Sequence, residues 1–236
     1  AEKNLEAELP GWDFEATRIK SAEIWNDALN AIEIQADPTV MVNFYTALYH
    51  TMIAPFAYQD VDGRYLGMDK KVHKAEPGYT NYSVFSLWDT FRALHPLMTI
   101  INPDLAADWG KVLVQGYKEG GILPKWPLAS SYTGCMVGYP AVSVLADLVC
   151  KDLTDGDLKT WAEAGARSSV YREDLAEKFK GTRELDLITR HPYYKEKYGK
   201  ESKFLAYGAD IYGDYDEPLL AEFGLKAYDY YLLVAR

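Results

Sequence analysis

Cysteine is scarce: 236 residues contain two, Cys135 and Cys150. One helix through 134–151 would hold both, about 22 Å apart at 1.5 Å per residue, so no disulfide joins them. Basic charge is also short, since 25 Lys and Arg face 35 Asp and Glu for a net charge of −10. A phosphate backbone demands a basic footprint, so no nucleic-acid partner is expected. No run of about 18 apolar residues occurs, so no membrane span is expected. The start, AEKNLEAELP, has no basic segment followed by an apolar one, so no signal peptide is expected there, though a mature or excised chain would read the same. Strand-like alternation is scarce, and repeats, low-complexity tracts and linkers are missing.

What is present is aromatic and helical. The chain holds 19 Tyr, 6 Trp and 8 Phe, 14% in all. Sugar sites use such rings, because the apolar face of a pyranose packs on them while its hydroxyls seek polar partners. A tyrosine-rich helical core accounts for the composition equally well. Apolar residues recur at helical spacing through 11–35, with Trp12, Ala16, Ile19, Trp25, Leu29 and Ile32 in one stripe. Asp37-Pro38 starts a second helix over 39–57, apolar on most sides, which predicts burial all round. A third runs over 86–101, bent near His95-Pro96. Asn102-Pro103 opens a fourth, which ends at Gly120-Gly121. The fifth covers 134–151, and the sixth runs from Thr154-Asp155 to about 178. Residues 179–213 lack a clear period, and a last helix starts at Pro218. The fold class is therefore all-α, built from helical hairpins.

Connection lengths add an arrangement. Short links make antiparallel hairpins of helices one and two, three and four, five and six. The long connections, 59–85 and 119–133, are the second and fourth, so an up-down array brings them to one end. Loops of that length in a compact domain are usually functional.

Three segments could carry chemistry. Asp60-Val61-Asp62-Gly63 fails the calcium-loop pattern, because its glycine comes two residues too early; taken alone it reads as a solvated turn. At Ser86-Leu87-Trp88-Asp89, an aromatic platform beside a carboxylate could hold a sugar ring and its hydroxyls. The plainer reading is a capped helix start with Arg92 paired to Asp89. The second long loop offers Trp126 and Tyr132 on the same face.

In order, DVDGRY, SLWDTFRALHPL and GGILPKWPLASSYTGCMVGYPAVSV resemble the catalytic domain of glycoside hydrolase family 92, exo-acting, calcium-dependent, inverting α-mannosidases. The resemblance covers 39–151 best. It implies that 1–236 is a partial catalytic domain, the first hairpins of an (α/α)6 toroid behind an N-terminal β-sandwich. It implies cleavage of terminal α-linked mannose (α-1,2-mannosidase-like) from a mannose-containing glycan, in the periplasm or outside the cell. By residue, it assigns Asp60, Asp62, Trp88 and Asp89 to sugar binding, with Arg92 as a supporting partner. The family's general acid lies in a Glu-Gly-Asn-x-Trp-Gln segment and its base in Gly-Asn-Asp-Asp. Neither string occurs in 1–236, so the catalytic residues are unassigned, the fragment alone is expected to be inactive, and the Ca2+ ligands are expected outside the chain. Another (α/α)6 carbohydrate hydrolase, or a non-catalytic carbohydrate-binding or scaffold fragment, are the alternatives.

Overall fold

Helix starts and stops follow local chemistry. The computed structural model describes residues 1–133, 136, 139–154 and 157–168. Helix α1 spans Glu2–Glu8, which the sequence reading did not anticipate. Helix α2, Phe14–Leu29, starts where the Asp13 carboxylate accepts the Ala16 amide, and is shorter than the 11–35 stripe. Helix α3 spans Pro38–Thr51, with Asp37 accepting from the amides of Thr39 and Val40 and Pro38 in the first turn.

Contrary to the expectation of all-round burial, α3 buries only Leu48, and Val42 is 65% exposed. Its main helical neighbour is α2, and one neighbour covers one face.

The all-α expectation needs a correction inside the long loops. Strand β1, Phe56–Ala57, pairs antiparallel with β4, Tyr82–Ser83; between them β2, Arg64–Leu66, pairs with β3, Val72–Lys74. The register is Phe56↔Ser83 and Tyr65↔His73.

The expected third helix is broken rather than bent: α4 is Leu87–Thr90 and α5 is Leu94–Ile101. The Pro96 ring disfavours helical continuation at the carbonyl four residues earlier, Arg92, so the chain leaves the helix between the two. Helix α6, Pro103–Gly120, has both expected ends. Asn102 accepts the Leu105 amide, and Gly121, at φ 89°, adopts the left-handed conformation that closes the helix.

A third ladder joins β5, Pro127–Leu128, to β6, Ser131–Tyr132. Helix α7 is Pro140–Cys150, six residues shorter at its start than expected, because Pro140 takes the first-turn position. Cys135 precedes α7 and lies outside the described residues, so the shared helix of the two cysteines is not formed by α7. Helix α8 spans Leu158–Ser168; the expected continuation to 178 and the helix from Pro218 also lie outside the described residues.

Among the described residues the molecule is helix-rich, and none of its helices is long and apolar enough to cross a membrane. The core centres on α6, packed against α5, α7 and α8, with Trp109, Leu113, Met98, Leu148, Phe85 and Leu87 essentially inaccessible.

Close approach at Gly110 sets the spacing of that core. A Cβ there would lie 2.6 Å from Leu148 Cδ1 and 2.7 Å from Trp161 Cη2. Alanine gains about 1 kcal/mol of helix propensity, but overpacking against a tryptophan ring costs about 1–3 kcal/mol. Gly110→Ala should therefore lower the urea midpoint. A raised midpoint would show that the helices separate freely.

Candidate functional site

The first long loop begins with a turn that local sequence dictates. Gly63, at φ 81°, supplies the left-handed residue of an Asp-Gly turn, and its amide donates to the Asp60 carbonyl at 2.8 Å. The Asp60 amide donates to the Arg64 carbonyl at 2.7 Å, closing the turn onto β2.

The two carboxylates have different partners. Asp60 accepts from Asn4 Nδ2 at 2.8 Å, and Asn4 Oδ1 takes the Val61 amide at 3.1 Å, so α1 clamps the turn. Asp62 is partly exposed. Both of its oxygens accept from Arg64 Nε, at 3.0 and 2.9 Å. This bond to Arg64 holds the Asp62 carboxyl below its ordinary range, so it is an ion at neutral pH. A carboxylate has about four lone-pair positions, and those that Arg64 leaves can accept hydroxyl groups.

The second cluster is on α4. The Arg92 guanidinium lies over the Trp88 ring, 4.3 Å from its centroid, and Nη2 donates to the Trp88 carbonyl at 3.2 Å. One ring face is thus taken by a cation–π contact, and the ring as a whole is partly exposed. Asp89 is exposed and accepts from Ser86 Oγ, which in turn accepts from Trp126 Nε1 at 2.8 Å. Ser86 stands at the N-cap of α4 but makes no side-chain cap bond; its hydroxyl links Trp126 to Asp89 instead. Tyr132 turns inward and donates to the Ile122 carbonyl at 2.8 Å.

The two long loops meet, as their position in the array suggested. Ser83 Oγ donates to the Ala129 carbonyl at 3.1 Å, and Lys70 Nζ donates to the Ser130 carbonyl and Ser131 Oγ. Lys70, Val84 and Ala129 all have positive φ, 65°, 66° and 50°, which L side chains rarely adopt and a β-branched valine least of all. Among the described residues no hydrogen bond or ion pair joins the turn of Asp60 and Asp62 to the cluster of Trp88, Asp89 and Arg92.

Sequence reasoning gave no role to Asn4, Arg64 or Glu119, and read Ser86 only as a possible helix cap. Glu119, at the end of α6, accepts from Tyr65 Oη at 2.8 Å, Gln115 Nε2 at 2.9 Å and the Met68 amide at 2.9 Å. Burial, then the bond to Glu119, pushes the Tyr65 phenol well above its usual range, so it stays a donor. The adjoining cleft, lined by Tyr58, Tyr65, Asn81, Gln115 and Glu119, has a volume of about 30 Å³. That is room for one or two ordered waters.

Calcium takes six to eight oxygen ligands, usually including several carboxylates. Among the described residues no three His, Cys, Asp or Glu side chains are grouped to hold a metal.

Residues 1–215 match the Glycosyl hydrolase family 92 catalytic domain, and the chain belongs to that family. The match extends past both ends of the 39–151 stretch that the motifs cover. Solved structures of the same family are similar, two of them as follows. The family GH92 α-mannosidase BT3965 from Bacteroides thetaiotaomicron shares 39% identity at a TM-score of 0.69, covering 72% of this chain and 23% of that one. The family GH92 inverting mannosidase BT2199 from Bacteroides thetaiotaomicron VPI-5482 shares 28% at a TM-score of 0.68, covering 75% and 24%. No curated protein matches. The chain thus spans about a quarter of these relatives.

Proposed function

We propose that residues 1–236 are part of the catalytic domain of an exo-acting, inverting, calcium-dependent α-mannosidase. They supply one wall of the pocket for the terminal mannose of an α-1,2-linked glycan, with Asp60, Asp62 and Asp89 accepting sugar hydroxyls. Trp88 offers the ring face opposite Arg92 to the pyranose, and Arg92 holds that ring in place. The helical hairpins belong to an (α/α)6 toroid completed by further chain, behind an N-terminal β-sandwich. The enzyme works in the periplasm or outside the cell, where such glycans are met.

The observation that carries the reading is the fastening of the motif segments to one another. The Trp126–Ser86–Asp89 relay ties the second motif to the third, and Lys70 ties the first loop to Ser130. A set of loops held by side chains from distant segments, with strained backbone at three points, is what a preorganised binding site requires. Inversion needs two carboxyl groups about 6.5–9.5 Å apart with a water between. That pair and the calcium ligands come from segments other than those described.

The complete enzyme should hydrolyse α-mannosides and lose activity to a chelator, while residues 1–236 alone give no turnover. Turnover by 1–236 alone, unaffected by chelation, would overturn the assignment.

A further inference from the structure

Glu119 has an unusual place for an acid. It lies in the last turn of α6, just before the glycine that closes the helix, where the helix dipole disfavours negative charge. Its partners explain the position. Oε1 accepts from Tyr65 Oη, and Oε2 from the Met68 amide, residues 54 and 51 positions away on the β2–β3 hairpin. Gln115, one turn earlier on α6, steadies Oε1. The hairpin backbone comes so close that a Cβ at Gly67 would lie 2.7 Å from Glu119 Oε2 and 2.5 Å from His73 Cδ2. At the hairpin tip, Lys70 reaches Ser130 and Ser131. The hairpin is thus fastened at two points, and only the tip depends on an exposed lysine.

The fixed strand leads directly into the candidate site. Tyr65 is three residues after Asp62. Arg64, which holds both Asp62 oxygens, pairs with Lys74 in the same ladder. Any tilt of β2 against α6 moves Arg64 and Asp62 together.

We propose that Glu119 is a positioning residue for sugar binding. Its carboxylate fixes the β2–β3 hairpin on α6 and thereby sets where Asp62 meets the sugar. This rests on the sugar-binding role of Asp62 given above. Glu119 touches no substrate; it acts through Asp62, and that makes it testable by non-additivity.

The test uses the complete enzyme with Glu119→Ala and, as a milder change that keeps the ring packing, Tyr65→Phe. Each is made with Asp62 present and in an Asp62→Ala background, and amide exchange at Met68 and the melting temperature are followed. Glu119→Ala should speed Met68 exchange and lower kcat/KM about tenfold when Asp62 is present, but less than twofold when it is absent. Tyr65→Phe should show the same pattern at about threefold, and it decides the matter if Glu119→Ala does not fold. Equal losses in both backgrounds would mean a general structural effect and overturn the inference. Unchanged Met68 exchange would overturn it too. An unaltered enzyme without α-mannosidase turnover would instead overturn the functional reading, and this inference with it.

Discussion

Asp62→Ala in the complete enzyme is expected to lower kcat/KM for α-mannosides about 10²-fold. A pocket built to accept sugar hydroxyls loses heavily when one acceptor goes, because hydroxyls desolvated on binding are left without partners. The structure adds a second cause. Arg64 donates to both Asp62 oxygens, so removing the carboxylate leaves the guanidinium with only the more distant charge of Asp60 to offset it. A cation there opposes the positive charge that develops on the sugar ring in an oxocarbenium-like transition state. The loss should therefore fall on kcat as well as KM. Melting temperature should change little, since Asp62 is partly exposed and its pair with Arg64 is at the surface, where ion pairs contribute little. Near-normal kinetics in a well-folded variant would reduce the Asp-Gly turn to an ordinary surface turn.

The second large effect concerns pH. His95 is in the second motif, yet its side chain is in the core, 4% exposed. It is stacked on Phe85 and edge-on to Trp109 at 5.2 Å, with no hydrogen-bond partner at Nε2. Burial pushes its pKa from 6.5 down to about 4, against a smaller opposing pull from Asp147 on α7. The folded protein thus resists a proton that the unfolded chain accepts, so stability falls as pH drops from 6.5 toward 4. With about 1.4 kcal/mol per pKa unit, the full loss is of order 3 kcal/mol. His95→Phe should flatten that slope while leaving stability at pH 7.5 nearly unchanged. Urea midpoints at pH 7.5 and 5 measure both. Equal slopes in the two proteins would place the proton elsewhere.

Legibility in the sequence followed the range of the interactions. Asp37-Pro38, Asn102-Pro103 and Gly121 act within a few residues, and the helix ends at these points fell where the sequence placed them. The meeting of the two long loops was legible too, because it depends only on the parity of connections.

The ladders were not legible. Phe56–Ala57 and Tyr82–Ser83 are two-residue strands, too short for a period of two to show, and each is defined by a partner far along the chain. The apolar pattern of α3 predicted burial that its packing does not supply, since a pattern states what a helix can bury and its neighbours decide what it does. Of the candidate site, Asp60, Asp62, Trp88, Asp89 and Arg92 were singled out by resemblance, while Asn4, Ser86 and Glu119 are joined to partners 40 or more positions away. Glu119 did leave one trace in the sequence: an acid in the last turn of a helix that glycine closes, where a base is favoured.

The most direct measurement is a crystal structure of the complete enzyme with mannoimidazole, the ligand with which BT3965 has been solved. The expected result is a sugar ring against the face of Trp88 opposite Arg92, with Asp62 and Asp89 accepting from its hydroxyls. A ring bound elsewhere, with none of Asp60, Asp62, Trp88 and Asp89 in contact, would contradict the account.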